Sequence, residues 1–550
     1  MPVRLIFFLN LCVALVTTSV AHAQSTGSKA DTLQRDWSYL DPQTDSVAGI
    51  SLHKAYDLLK GKTSTPVVVG VLDSGVDPTH EDLKNVLWVN PKEVAGNQTD
   101  DDKNGYVDDV NGWNFMGGPG GDTYEFGQPE ITQTYLNLRA RYDRLLPEQV
   151  KPADRRQYDT YQNAKKQFLQ RYQAGQAKRT IFTDTTRFWQ IARAIQQQLP
   201  DSATTQQAIR GVSLPTDSLA PVVRNLLADT YFPQYGPFGA YLTILRLNWS
   251  RFRFIVNNDT DIAFNPDYHP QQSVGDNPAD LTERYYGSPT MKLPKGSDLA
   301  VHGSHVAGII GAQRSNGLGI DGIADNVRIM SVAVVPANGD ERDKDVANGI
   351  RYAVENGAKV INMSFGKRLS PFKEQVDAAV RFAEERDVLI VLAAGNNGQN
   401  TDTLRTYPSA RYADGNVARN VLVVGNSAPP LTDKLVSRSS NYGTQTVDLF
   451  APGTEILSTI PGNRYARFSG TSMAAPCAAG VAALIRSYFP SLTAVQVRTL
   501  LMESSYKPTL LVNKPGRANL RVPFGSLSRS GGLLNAYEAV KLAQRLTARK

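Results

Sequence analysis

The chain reads as an α/β protein built on a doubly wound parallel sheet, and three features of its sequence predict this. The first is a set of continuous, β-branched apolar runs: "PVVVGVLDSG", "NVRIMSVAVV", "KVINMSFG", "VLIVLAAGN" and "NVLVVG". Strands covered on both faces read this way, because neither face has to meet water. The second lies between them, where "DKDVANGIRYAVENGA" and "PFKEQVDAAVRFAEERD" space their apolar residues as amphipathic helices do. Alternation of the two patterns predicts parallel strands joined by helical crossovers. The third is a long interruption. From 117 to 270 the chain is rich in Gln, Arg and Tyr, and Tyr135, Leu138, Tyr142 and Leu145 recur at helical intervals. This predicts a mainly helical insertion, with "MGGPGGD" and "FNPDYHP" as hinges where it leaves and rejoins the sheet.

A length of 550 residues suffices for two or three domains with a sizeable core. The expected organisation is a leader over 1–23, an N-terminal segment over 24–48 and a first sheet portion over 49–116. The insertion over 117–270 follows, and a second sheet portion runs over 271–545. The leader rests on "MPVRLIFFLNLCVALVTTSVAHAQ", one Arg followed by a short apolar stretch and Ala21-His22-Ala23 in the small-x-small cleavage pattern. Such a stretch is too short to span a bilayer comfortably, so export into the periplasm or medium is expected, with no membrane span in the mature chain. An uncleaved anchor is the alternative. Of two cysteines, Cys12 leaves with the leader, and Cys477 alone cannot form an internal disulfide. The net charge of +7 comes from Lys and Arg scattered among Asp and Glu. This describes a solvated surface, not a nucleic-acid footprint.

In open parallel sheets, functional side chains gather where strands end and helices begin, and four short stretches lie at such points. Asp73 closes the run "VVVGVLD" ahead of a Ser-Gly turn. Its carboxylate suits either an orienting partner for an imidazole or a cap on that turn. His302 opens "HGSHVAGIIGA", with Val306, Ile309 and Ile310 as the buried stripe of a helix. An imidazole titrating near 6.5 fits general-base work, whereas His305 reads as structural. Asn396 follows the strand "VLIVLAAG" and either donates to a developing negative oxygen or forms a plain turn. Ser472, in "GTSMAAP", begins a small-residue helix with Pro476 near its first turn, and there a serine serves as N-cap or as nucleophile.

Asp73 in "DSGVD", His302 in "HGSHVAGI", Asn396 in "AAGN" and Ser472 in "GTSMAAP" together resemble the signature stretches of the subtilisin-like serine peptidases, in that family's order. The resemblance covers roughly 49–116 and 275–544. It implies Ser472 as nucleophile, His302 as its base and Asp73 as the group that orients the imidazole. Asn396, with the Ser472 N–H, would line an oxyanion hole, and no cofactor would be needed for the chemistry. Polypeptides would be the substrates, hydrolysed through an acyl-enzyme. By similarity, Ser364, Phe365 and Gly366 with Ala393, Ala394 and Gly395 wall the primary specificity pocket. Neither wall carries a charge, which points to apolar or bulky residues before the cut. A catalytically silent binding scaffold of the same fold and an ester hydrolase are the competing expectations.

Three departures stand out. Ser304 replaces the usual Thr of the histidine motif, and Cys477 stands where His often follows the proline of the serine motif. A buried thiol on an apolar helix face is expected there. The third is the separation of 229 residues between Asp73 and His302, far beyond what a compact member needs. The insertion it contains suits a lid, a substrate-length filter, an intramolecular chaperone or an appended helical layer. Within "TDDDKNGYVDDVNGWNF", Asp100, Asp102, Asn104 and Asp108 alternate around Gly105. This spacing suits a structural Ca²⁺ or an acidic solvated turn.

Overall fold

The computed structural model describes residues 36–548 apart from 183, 201–204, 215–217, 232–235, 279, 292 and 294–296. The leader over 1–23 and the first part of the N-terminal segment lie outside the described residues. The chain divides into two compact units, one of Leu33–Tyr161 with His269–Lys550 and one containing Gln162–Tyr268.

The first unit is organised by a seven-stranded sheet of β1 (Val67–Asp73), β2 (Gly112–Asn114), β3 (Val327–Ala333), β4 (Val360–Met363), β5 (Leu389–Ala393), β6 (Val421–Ser427) and β7 (Leu449–Pro452). The order is β2-β3-β1-β4-β5-β6-β7, and every neighbouring pair is parallel. This is the predicted doubly wound sheet. Five strands fall on the five apolar runs. The edge strands β2 and β7 were not expected, since three and four residues are too few to show a period. Consecutive residues of β1 enter different cores: Val69 and Val71 belong to one, Leu72 to the other. Both faces are therefore dry, and each buried Val or Leu contributes about 1.5–3 kcal/mol.

The helices of this unit are α1 (Leu52–Leu59), α2 (Glu130–Tyr142), α3 (Arg155–Arg179, which carries the chain across the unit boundary), α9 (Val301–Gly311), α10 (Asp343–Glu355), α11 (Lys373–Glu385), α12 (Thr471–Tyr488), α13 (Ala494–Glu503) and α14 (Ala536–Thr547). Residues of α9 and α12 fill one core, and those of α10 and α11 fill the other. Helix α12 is buried all round, which explains its run of Ala and Gly. Antiparallel hairpins β8 (Ile456–Ile460) with β9 (Arg464–Phe468) and β10 (Leu511–Lys514) with β11 (Arg517–Pro523) complete the unit.

The second unit holds α4 (Thr185–Gln198), α5 (Gln206–Arg210), α6 (Ala220–Thr230), α7 (Phe238–Leu247) and α8 (Trp249–Asn258) around its own apolar core, which includes Phe188, Ile191, Leu227 and Tyr241. The inserted stretch is helical, but its compact part is narrower than 117–270. Residues on either side stay with the sheet unit because polar contacts hold them there. The Glu130 N–H donates to Asp340 Oδ2 at 3.0 Å, and Lys344 Nζ contacts Glu283 at 2.8 Å. Among the described residues, no helix is long and apolar enough to cross a membrane.

Candidate active site

Strand β1 sits at the point where the sheet order reverses, and its last residue is Asp73. The side chain is buried, and Oδ1 accepts the Ser74 N–H at 2.8 Å. The same oxygen lies 2.7 Å from His302 Nδ1. A carboxylate there can only accept, so Nδ1 carries the proton and Nε2 is left as the free base. His302 stands in the first turn of α9, which approaches β1 closely enough that a Cβ on Gly303 would lie 2.1 Å from the Gly75 carbonyl oxygen. Burial pushes the imidazole pKa down, but the charge and hydrogen bond of Asp73 outweigh it and hold the pKa above 6.5.

One turn further on, His305 is buried, with Nε2 3.0 Å from the Ala466 carbonyl and its ring stacked on Phe468. Burial, despite that carbonyl partner, lowers its pKa to about 3, so it stays neutral. It packs as the structural histidine expected from its position.

Ser472 is the second residue of α12, where N–H groups have no acceptor within the helix. Its Oγ donates to the Ser364 carbonyl at 2.9 Å. In this geometry the hydroxyl faces Ser364 and not His302. Pro476, expected near the first turn, lies in the second. It has no N–H for the Ser472 carbonyl four residues earlier. The Ser364 hydroxyl supplies the missing donor at 2.9 Å, and is itself held by Asn362 Nδ2 at 2.9 Å. The proline thus frees a carbonyl that ties the serine to the loop after β4.

Asn396 follows β5 at Gly395, whose φ of +100° suits glycine. Its Oδ1 accepts both the Thr471 N–H (2.9 Å) and the Thr471 hydroxyl (3.1 Å). This fixes the amide so that Nδ2 is the group left to donate. Thr471 was missed in the sequence, although it adjoins Ser472. Ser364, Phe365 and Gly366 follow β4, Ala393 ends β5, and Ala394 and Gly395 follow it ahead of Asn396. Cys477 is buried and contacts the Pro452 carbonyl at 3.3 Å, and burial pushes its thiol pKa far up.

The acidic loop is arranged differently from the spacing expectation. Carboxylate oxygens of Glu93, Asp100 and Asp102 lie within 4.8 Å of one another. Asp108 does not join them, because its φ of 56° turns the carboxylate to the N–H groups of Gly96, Asn97 and Gln98. Asn104 Oδ1 is used by the Tyr106 N–H at 2.8 Å. Glu93, outside the alternating pattern, brings a buried Oε2 with no hydrogen-bond partner among the described residues. Three converging carboxylates with one orphaned oxygen fit a hard cation.

A parallel α/β sheet with the candidate residues Asp73 and Asn396 at the carboxyl ends of central strands, and Ser472 at a buried helix start, defines a subtilisin-like α/β class of protein. The subtilase family profile matches residues 64–526, and the chain belongs to that family. It is similar to a thermophilic serine proteinase of Bacillus sp. (strain AK1), at 46% identity over 190 residues, covering 34% of this chain and 43% of that protein. It is also similar to the alkaline elastase YaB of Bacillus sp. (strain YaB), at 39% identity over 231 residues, covering 42% and 56%. The chain thus spans about half the length of these curated relatives. Among solved structures, a protease of Pseudoalteromonas arctica PAMC 21717 aligns at 29% identity with a TM-score of 0.36, covering 44% of this chain and 70% of that one.

Proposed function

We propose that the protein is an exported serine endopeptidase. Ser472 Oγ attacks the scissile carbonyl while His302 Nε2 takes its proton, and Asp73 stabilises the imidazolium. The tetrahedral oxyanion is met by Asn396 Nδ2 and the Ser472 N–H. His302 then protonates the departing amine, and a water activated by the same nitrogen hydrolyses the acyl-enzyme. The observation that carries this reading is the 2.7 Å contact of Asp73 with His302 across 229 residues. The turn cap to the Ser74 N–H uses the same oxygen, but it does not call for an imidazole beside it. In this reading Ser472 exchanges its hydrogen bond to Ser364 for one to His302 by rotation about χ1. Catalytic contacts often tighten only when substrate binds.

A fluorophosphonate probe tests the reading, with casein turnover beside it. Labelling of the full-length protein that disappears in Ser472→Ala supports the peptidase. A folded protein that neither labels nor digests casein is a binding scaffold. We also propose that Glu93, Asp100 and Asp102 hold a structural Ca²⁺. A chelator should then lower Tm in calcium-free buffer, and an unchanged Tm refutes the site.

A further inference from the structure

Ser364–Lys367 lies beside Ser472, Lys367 ties Asn338–Glu341 to it, and the hydrogen bonds of both segments show which edges are already paired. On Asn338–Glu341, the Asn338 N–H donates to the Glu125 carbonyl (2.9 Å) and its carbonyl accepts from Gly127 (2.5 Å). The Asp340 N–H points to Gln128 (3.5 Å). Alternate residues of an extended segment present their backbone groups to opposite edges. Gly339 is a bend with φ +131°, and after it the Glu341 carbonyl faces the other way, toward Lys367 Nζ. On Ser364–Lys367, Lys367 pairs its N–H and carbonyl with Tyr407 (2.8 and 2.9 Å), so Ser364 and Gly366 face away from Tyr407. The contact of the Ser364 carbonyl with Ser472 Oγ shows that this free edge is the one beside the nucleophile. Gly339 and Gly366 are both exposed. An extended peptide entering between these edges is an added strand. Its acylated residue pairs with Ser364 and its third residue with Gly366.

Lys367 occupies the place beyond. Its side chain is 3% exposed, and Nζ lies 3.0 Å from the Glu341 carbonyl, 2.7 Å from Asp343 Oδ1 and 3.1 Å from Glu130 Oε1. The ammonium thus has the Glu341 carbonyl as a hydrogen-bond acceptor and Asp343 and Glu130 as ion-pair partners. Burial alone would lower its pKa, but Asp343, Glu130 and Glu341 outweigh it and keep the amine charged. Glu130 opens α2, and its Oε2 accepts the Leu369 N–H at 2.8 Å. The ammonium is therefore held from both edges and from the inserted stretch. Pulling it away would strand buried carboxylates, a cost that an incoming peptide N–H cannot offset.

We propose that Lys367 closes one end of the peptide slot by taking the Glu341 carbonyl, so that the enzyme reads three residues on the acyl side of the cut and gains nothing from a fourth. This rests on the peptidase reading. The test uses the full-length protein and peptidyl p-nitroanilides ending in Phe, with one to four Ala before it. The expected kcat/KM rises up to three residues and then changes less than twofold. In Lys367→Ala the fourth residue should add about fivefold, the effect of one net hydrogen bond. A fourth residue that already adds fivefold in the unaltered protein overturns the inference, as does a flat response in the folded variant. Since Lys367→Ala strands two buried carboxylates, the triple variant Lys367→Met, Glu130→Gln, Asp343→Asn is the second route to the same comparison. The unaltered series decides even if both variants fail to fold. Hydrolysis of no member of the series, with Ser472 unlabelled by a fluorophosphonate, overturns the peptidase reading itself.

Discussion

The sheet unit and the helical unit of 162–268 are both packed around apolar cores, yet they handle charge in opposite ways. The sheet unit buries ionised groups: Asp73, Lys367, Asp343, Arg342 and Asp276 are all nine-tenths or more inside. Each has a counter-ion or imidazole partner. The core of the helical unit is built from Phe188, Ile195, Leu227, Phe238 and similar residues. Burying charge is expensive unless it is paired, so it persists where position matters more than stability. The proposed chemistry therefore lies in the sheet unit, while the helical unit keeps ion pairs such as Arg210–Asp229 near its surface and buries no charged side chain among the described residues.

The largest effect expected from this contrast is on turnover. Asp73→Asn should leave the fold intact, as read by circular dichroism, and lower kcat by about 10⁴-fold, the size typical of serine peptidases that lose the triad carboxylate. Full activity in that variant would remove the distinction between the units. Next, Phe188→Ala should destabilise the helical unit by about 3–5 kcal/mol in denaturant titration, while fluorophosphonate labelling of Ser472 is retained. Loss of labelling would mean that packing in this unit also supports the site. Asn396→Ala should cost about 10²–10³ in kcat with little change in KM, a magnitude taken from this family. The smallest effect concerns pH. The base works only when neutral, and Asp73 raises the His302 pKa, so the acid limb of kcat/KM should fall above pH 6.5. The same shift stabilises the fold below the unfolded pKa, a gain lost as pH rises through the folded pKa. Activity and this stability contribution thus change in opposite directions over one pH window. An acid limb below 6.5 would contradict the assignment.

Much of this arrangement was legible in the sequence because it is local. The runs that became β1 and β3 to β6 are apolar on both faces, and Asp73, His302, Asn396 and Ser472 each stand where such a run or a helix begins or ends. What escaped notice depends on partners far apart in the chain. Lys367 meets Glu130 and Asp343, and no spacing rule joins residues 239 positions apart, as Leu369 and Glu130 are. The acidic loop shows the limit from the other side. Counting alternate positions selected Asp108, but a left-handed backbone angle accompanies its turn to other N–H groups, and Glu93, outside the counted pattern, is the carboxylate that joins Asp100 and Asp102. Pro476 is similar: the motif was visible, but the carbonyl it frees could be understood only once Ser364 was found beside it.

Helix α12 carries the proposed nucleophile Ser472 in its first turn and continues as the central rod of the interior. That alcohol cannot drift out of register while the rod stays seated. Heat inactivation should consequently coincide with collapse of the whole sheet unit, with no early phase in which an intact body has merely lost its edge.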